Sequence, residues 1–413
     1  MNFITNNSKF IGSVLIVIGT SIGAGMLAIP MVSAASGFWL AAFLLIIIWL
    51  LMTLTGLLVL EVNLALPEGK NSFSSMAAET LGVVGKVTAW ISCLLLLYAL
   101  TAAYIAGNAS LLTTAFEFFH INVPTWVNAL LFISVLGGAV FWSTKAVDYL
   151  NRGLISIKGG LLLAVLILLM PRINLVNIIG GQITEQGKFL LAVAPIFLCS
   201  FGFHTVIPSI RNYVGKDSRA LKQIIICGTL VTLIIYLFWL LASLGTMPLK
   251  GENSFTNLAA SKGSVGEFIK SICALANNHW VTAGINGFAN IAMTTSFLGV
   301  TLGLFDFLSD GLKIPNTRVG RSKTALLTFV PPLIFALFFP KGFILALGNA
   351  AIFVAILEIL LPALMVYKLR KSKLLNSPYK VWGGTAVLAG VFIAGVAIIS
   401  LQIMSNFNLL QHI

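Results

Sequence analysis

Residues 19–30 read GTSIGAGMLAIP, placing three glycines, two hydroxyls and a proline within an otherwise apolar stretch. Each glycine costs ~1 kcal/mol relative to Ala inside a helix, and Pro30 has no N–H to give the preceding turn. An unwound segment is predicted. If the surrounding run crosses a membrane, irregular backbone persists there only where protein buries it or where it lines a cavity. The chemistry of such a segment is that of bare backbone. Amides at the start of a resumed helix attract a carboxylate, and freed carbonyls attract an ammonium. On this reading a carboxylate sits on the backbone of Ile22, Gly23, Ala24 and Gly25 with Ser21 or Thr20 assisting, and an ammonium falls to carbonyls near Thr20 and Phe201. The alternative is that Gly19 and Gly23, a G-x-x-x-G pair, only let two helices approach.

A second break is predicted in residues 195–208, PIFLCSFGFHTVIP, where Ser200 to Gly202 supply small residues between two prolines. Phe201 and Phe203 flank it and could offer edge-on or offset partners to an aromatic ring. The uncharged imidazole of His204 could bond a phenolic hydroxyl or an indole N–H, or simply a neighbouring helix. Tyr98, Thr101 and Tyr104, at i, i+3 and i+6, share one face of about 120° on a helix. A buried Tyr98 hydroxyl could donate to the same carboxylate. Asn286, Asn290 and Thr294 form a polar stripe that either faces a pathway or bonds adjacent helices for ~0.6 kcal/mol apiece.

Charges in apolar runs are costly, at least ~2.5 kcal/mol near a bilayer centre unless solvated or paired. Lys158 lies six residues beyond Arg152, about 9 Å along a helix. It either snorkels outward or is held within the protein. Burial would disfavour its charged form, so that its protonation could alternate. Glu358 is also embedded, and its role stays open. The other kinds of chemistry find no support. The four cysteines and four histidines are scattered without ligand spacing, so no metal is expected, and the sequence has no phosphate-binding glycine loop and no nucleophile elbow. No cofactor is expected.

The elements that must position these residues are long apolar helices. Of the 413 residues, 58% are hydrophobic and 9% charged, against roughly 25% charged in an average soluble domain. With a mean hydropathy of +1.01, the chain must bury apolar surface in lipid. Eleven spans are predicted, near 10–36, 38–62, 86–113, 124–143, 151–170, 187–211, 220–245, 280–308, 323–339, 342–367 and 381–404. The first is too long for a signal-peptide core. The net charge of +13 is concentrated in short segments such as 211–222, 313–323 and 368–380, which fall on one side of the membrane when alternate loops are assigned. That bias places the N-terminus in the cytoplasm and the C-terminus outside, and it argues against a nucleic-acid partner.

Gly25 and Gly202 are 177 residues apart, and the second and seventh spans begin 182 apart. A near-constant offset after five helices implies two five-helix repeats, near 10–170 and 187–367, plus an extra helix near 381–404. Five is odd, so the second repeat is inverted, as in secondary transporters. The whole chain, 1–413, then forms one transmembrane domain.

The segments 19–30, 97–105 (LYALTAAYI), 200–204 (SFGFH) and 295–306 (TSFLGVTLGLFD) resemble the bacterial aromatic amino acid permeases, the hydroxy and aromatic amino acid permeases that carry tyrosine or tryptophan. The resemblance covers nearly the whole chain. It implies an all-α integral membrane protein with a LeuT-like 5+5 inverted repeat, broken helices 1 and 6, and proton-driven uptake across the bacterial inner membrane. It also implies that Lys158 occupies the place of a bound cation between spans 1 and 8, with Thr295, Ser296 and carbonyls near Gly19 and Ile22 as its candidate acceptors. Substrate preference divides. The third and sixth helices look more like tyrosine carriers, whereas 143–147 (STKAV), 320–328 (GRSKTALLT) and 381–384 (VWGG) look more like tryptophan carriers. A sodium-coupled or exchange-type carrier of the same fold is the alternative. A membrane enzyme is disfavoured because the embedded polar residues are few and scattered. Oligomeric state is not legible.

Overall fold

The structure is a computed structural model of the chain and describes residues 2–23, 25–67, 72–260, 264–372 and 377–411. It is all-helical, with no strand among the described residues. In chain order the main helices are α1 (Asn2–Ser21), α2 (Gly25–Ser33), α3 (Gly37–Ala65), α4 (Phe73–Phe118), α5 (Thr125–Trp142), α6 (Thr144–Leu169), α7 (Ile183–Ser200), α8 (Ile207–Val214) and α9 (Ser218–Thr246). They continue with α10 (Val265–Ala276), α11 (His279–Gly311), α12 (Arg318–Phe338), α13 (Phe343–Lys371) and α14 (Gly384–Asn406). Ten helical stretches among the described residues are long and apolar enough to cross a membrane, so this is a multi-pass membrane protein. The count of eleven arises only when Ser8–Ser21 and α2 are taken as one broken span. Each piece alone is too short to cross, and α2 runs through a 3₁₀ turn, Ala34–Ser36, into α3.

Both predicted breaks occur at their glycines. The first chain break lies between Ser21 and Gly25, and the second between Ser200 and the 3₁₀ turn His204–Val206 that leads into α8. Gly82 in α4 takes φ +71°, a value outside the helical range, so the Phe73–Phe118 stretch is two helices merged across a kink. Two π-turns interrupt other spans, Ile133–Gly137 in α5 and Ala355–Leu360 in α13. Such an inserted residue is uncommon and concentrates at functional positions.

The packing joins non-adjacent spans. The helix α11 lies along α6 and α4, α13 along α4, α9 along α1 and α3, and the α7 helix along α2 and α3. Where α9 crosses α3, the Thr53 hydroxyl donates to Thr229 Oγ1 at 3.0 Å. One end of the bundle is held by charge. Glu61, fully buried, receives both Arg370 Nε (2.8 Å) and Nη2 (2.7 Å), and the Val381 amide adds a third donor at 2.8 Å. Close by in sequence, Arg211 at the end of α8 donates to the carbonyls of Asn63 and Leu66.

Candidate functional site

The two breaks meet. A Cβ added at Gly25 would lie 2.9 Å from Ser200 Oγ and 3.1 Å from Ser200 Cα, so the start of α2 abuts the end of α7. A Cβ on Gly23 would lie 2.8 Å from Ser296 Oγ, which brings α11 against the first break. Only residues without side chains allow this approach.

Breaking a helix strands carbonyls, and the structure satisfies them one by one. In a continuous helix the Ser21 carbonyl would accept from the amide of Gly25, and the Ser200 carbonyl from that of His204. Here the Ser21 carbonyl accepts from the Gly23 amide at 2.9 Å, and the Tyr236 hydroxyl on α9 shares its one hydrogen between this carbonyl and that of Ser200, at 2.6 and 2.7 Å. The Ile22 carbonyl accepts from Lys158 Nζ at 2.6 Å, with that lysine only 4% exposed. Pro30 cannot donate to Met26, four residues back, and the Trp239 indole N–H takes that carbonyl at 2.9 Å. Of the first amides of α2, that of Met26 donates to the Gly23 carbonyl at 3.2 Å, and the others have no intrahelical partner, by helix geometry. The site is therefore a buried junction with a partial positive end at α2, the Lys158 Nζ on the first break and two aromatic donors on α9.

The expected residues distribute unevenly around this junction. Ile22 and Gly23 are buried in it, Ser21 turns its hydroxyl to Val17 at 3.1 Å, and Ala24 lies outside the described residues. Thr20 is exposed and bonds the Ile16 carbonyl. Phe201 is buried edge-on against the Tyr236 ring, with centroids 5.1 Å apart. Phe203 instead points at α3, where its ring edge occupies the space a Cβ on Gly56 would need. Tyr104 is buried near Ser296, whereas Tyr98 leaves the junction and donates to the Leu327 carbonyl on α12 at 2.8 Å. The side chains of Thr101, Asn290 and Thr295 bond carbonyls of their own helices, and Thr294 is half-buried on α11. A cavity of about 360 Å³ lies elsewhere, lined by residues that include Met31, Phe189, Ile196, Phe255, Lys341 and Gln402; none of the expected site residues lines it.

His204 has both ring nitrogens occupied within the protein. Its Nε2 lies 2.8 Å from Thr55 Oγ1 on α3, and its Nδ1 lies 2.7 Å from Glu358 Oε2 in the π-turn of α13, at hydrogen-bond distance but off the line of an ideal ring N–H bond. Gly202 faces the same carboxylate, 3.7 Å from where its Cβ would stand. Sequence reasoning missed Tyr236, Trp239 and Thr55. The available signal was a Tyr and a Trp at i and i+3 in an apolar run, since buried hydroxyl and indole donors require partners.

A family model described as the tryptophan/tyrosine permease family matches residues 6–402. The chain is 36% identical to a tyrosine-specific transport system of Haemophilus influenzae over 95% of its length and 96% of that protein. It is 37% identical to a tryptophan-specific transport protein of Pseudomonas aeruginosa, over 98% of the chain and 96% of that relative. It is also 34% identical to a low affinity tryptophan permease of Escherichia coli, over 98% and 97% of the two chains.

Proposed function

Because the chain belongs to the tryptophan/tyrosine permease family, we propose that it is a secondary active transporter that imports tyrosine or tryptophan by proton symport across a bacterial inner membrane. Its family and relatives are permeases and transport proteins, not enzymes. The observation that carries the mechanism is the junction of the two breaks, tied by Tyr236 and by Lys158. A zwitterion needs donors for its carboxylate and acceptors for its ammonium in low dielectric, and broken helices present both. The α2 amides take the carboxylate, with Ile22, Gly23, Ala24, Gly25, Ser21 and Thr20 forming its cradle. The carbonyls of the breaks take the ammonium. Phe201 and Gly202 bound the ring, with Thr101, Asn290 and Thr294 around it, while Tyr98, Phe203 and His204, turned to α12, α3 and Glu358, stand outside this first layer.

Lys158 supports proton rather than sodium coupling. Its Nζ already lies on the Ile22 carbonyl, so in its charged form it holds the position a metal cation would need. When charged it ties the first break to α6, and when neutral it releases it, with Thr295 and Ser296 on α11 as further acceptors. The fold we assign is LeuT-like, two inverted five-helix repeats and an eleventh helix, N-terminus in the cytoplasm and C-terminus outside. Pairing supports it. Contacts of α11 with α6 and of α13 with α4 exchange under a five-span shift, as do α9 with α1 and α7 with α3. The test is uptake of labelled Tyr, Trp and Phe into proteoliposomes under separately imposed proton and sodium gradients. Accumulation with the proton gradient alone is expected, and accumulation that needs sodium would overturn the reading.

A further inference from the structure

Hydrogen-bond geometry around His204 fits two proton counts. Thr55 Oγ1 has one hydrogen, and the Met52 carbonyl at 3.1 Å and His204 Nε2 at 2.8 Å both lie within its reach. When it goes to Met52, Thr55 accepts from Nε2–H, a neutral ring then has a bare lone pair at Nδ1 facing Glu358 Oε2 at 2.7 Å, and a further proton is required between these two acceptors. When it goes to Nε2, Nδ1–H faces the carboxylate and no further proton is needed. The histidine is fully buried and the glutamate 3% exposed, so bulk water does not stand between them.

We propose that His204, Glu358 and Thr55 form a proton-binding site at the second break, distinct from Lys158 at the first. Loaded, the pair is electrically neutral overall, and Thr55 stays bonded to Met52. Unloaded, the ring must change tautomer. Nδ1–H then donates to a carboxylate, Nε2 becomes an acceptor, and the Thr55 hydroxyl must leave Met52 to donate to it. One negative charge is left in apolar surroundings, a state the protein disfavours until water reaches it. Proton loss thus acts on three elements at once, the turn after α7, the π-turn of α13 and the middle of α3.

The neighbours leave the pair to set this charge. The titratable groups that face Glu358 from packed elements are the thiols of Cys93 on α4 and Cys199 on α7. Tyr104 of α4 and Tyr236 of α9 face Cys199 in turn. The other ionisable groups of α4 are Glu79, Lys86, Tyr98 and Glu117. On α3 the ionisable side chain is Glu61, already held by Arg370, on α8 the charged side chain is Arg211, and α14 contributes none. Within α13, Tyr367, Lys368, Arg370 and Lys371 lie in the last turns, beyond the π-turn.

The functional consequence rests on the transport reading, whereas the site itself does not, so the test has two arms. In infrared difference spectra of the protein in lipid vesicles, taken between acidic and alkaline buffer, a protonated-carboxyl C=O band is expected in the native protein and lost in Glu358→Gln. In proteoliposomes, a pH step of one unit can sustain up to about tenfold accumulation for one proton per substrate. Glu358→Gln, which mimics the loaded pair, is expected to reduce that ratio to one and to make substrate binding independent of pH. An unchanged infrared difference, or accumulation equal to that of the native protein, would overturn the proposal. If the native protein accumulates no aromatic amino acid under any gradient, the transport reading fails and the infrared arm still decides the site. Should Glu358→Gln not fold, Thr55→Val is expected to move the pH midpoint of the carboxyl band and Thr55→Ser to retain it; coincident midpoints overturn the site.

Discussion

Gly25 stands where a side chain has no room, because the obstacle is partly backbone, Ser200 Cα at 3.1 Å from the added Cβ. Gly25→Leu is therefore expected to part the two broken helices and abolish binding of labelled substrate while the protein still inserts, checked by binding to purified protein alongside its yield from membranes. At Gly23 the obstacle is the Ser296 hydroxyl, which can rotate, so Gly23→Ala is the milder change. Lys158→Ala strips the Ile22 carbonyl of its donor, a loss of ~1–3 kcal/mol for a buried acceptor left unpaired. Uptake driven by a pH step is expected to fall to equilibration. Continued accumulation in that variant would leave Lys158 a purely structural tie. The approach of Lys158 to the first break followed from the family resemblance, since a lone lysine in an apolar run can equally snorkel outward. The partners of His204 were not legible from sequence. Thr55 lies 149 positions away, and no spacing rule connects a threonine in one span with an imidazole in another.

Among the elements, α9 works as a splint. Its Tyr236 hydroxyl spans the carbonyls of Ser21 and Ser200, and its Trp239 covers the one that Pro30 orphans. Tyr236→Phe keeps the ring against Phe201 but leaves the buried Ser200 carbonyl without a donor, at ~1–3 kcal/mol, while the Ser21 carbonyl keeps the Gly23 amide. A lower midpoint in thermal unfolding in detergent is expected, with Tyr149→Phe, at a 75% exposed position, as the neutral control. An equal midpoint in the two variants would mean that the breaks hold together without the splint. The breaks themselves could be read from glycine and proline, since their effect is local. The splint could not, because Tyr and Trp in an apolar run fit an interfacial anchor equally well. The kink at Gly82 and the π-turn around Glu358 were missed for a related reason. Neighbours decide whether a helix keeps or loses its regular ladder there.

At the scale of the whole molecule, one end is latched by the Glu61–Arg370 pair, with the glutamate fully buried. Arg370→Ala leaves that carboxylate with the Val381 amide alone, and breaking a buried pair from one side costs ~3–5 kcal/mol. Adding Glu61→Gln to Arg370→Ala should recover part of the loss, as read by thermal unfolding of the single and double variants. No recovery would show that Arg370 acts through other contacts. The multi-pass architecture was legible because twenty apolar residues have few other uses, while the span count hinged on how a broken helix is scored. The contact between Thr53 and Thr229 has a further meaning. It ties α3 to α9, the second and seventh spans, which begin at Gly37 and Ser218, 181 positions apart (218 − 37). On the two-repeat reading these helices are counterparts, one from each half, so the bond is a seam within one polypeptide that in a two-fold dimer would be an interface between chains.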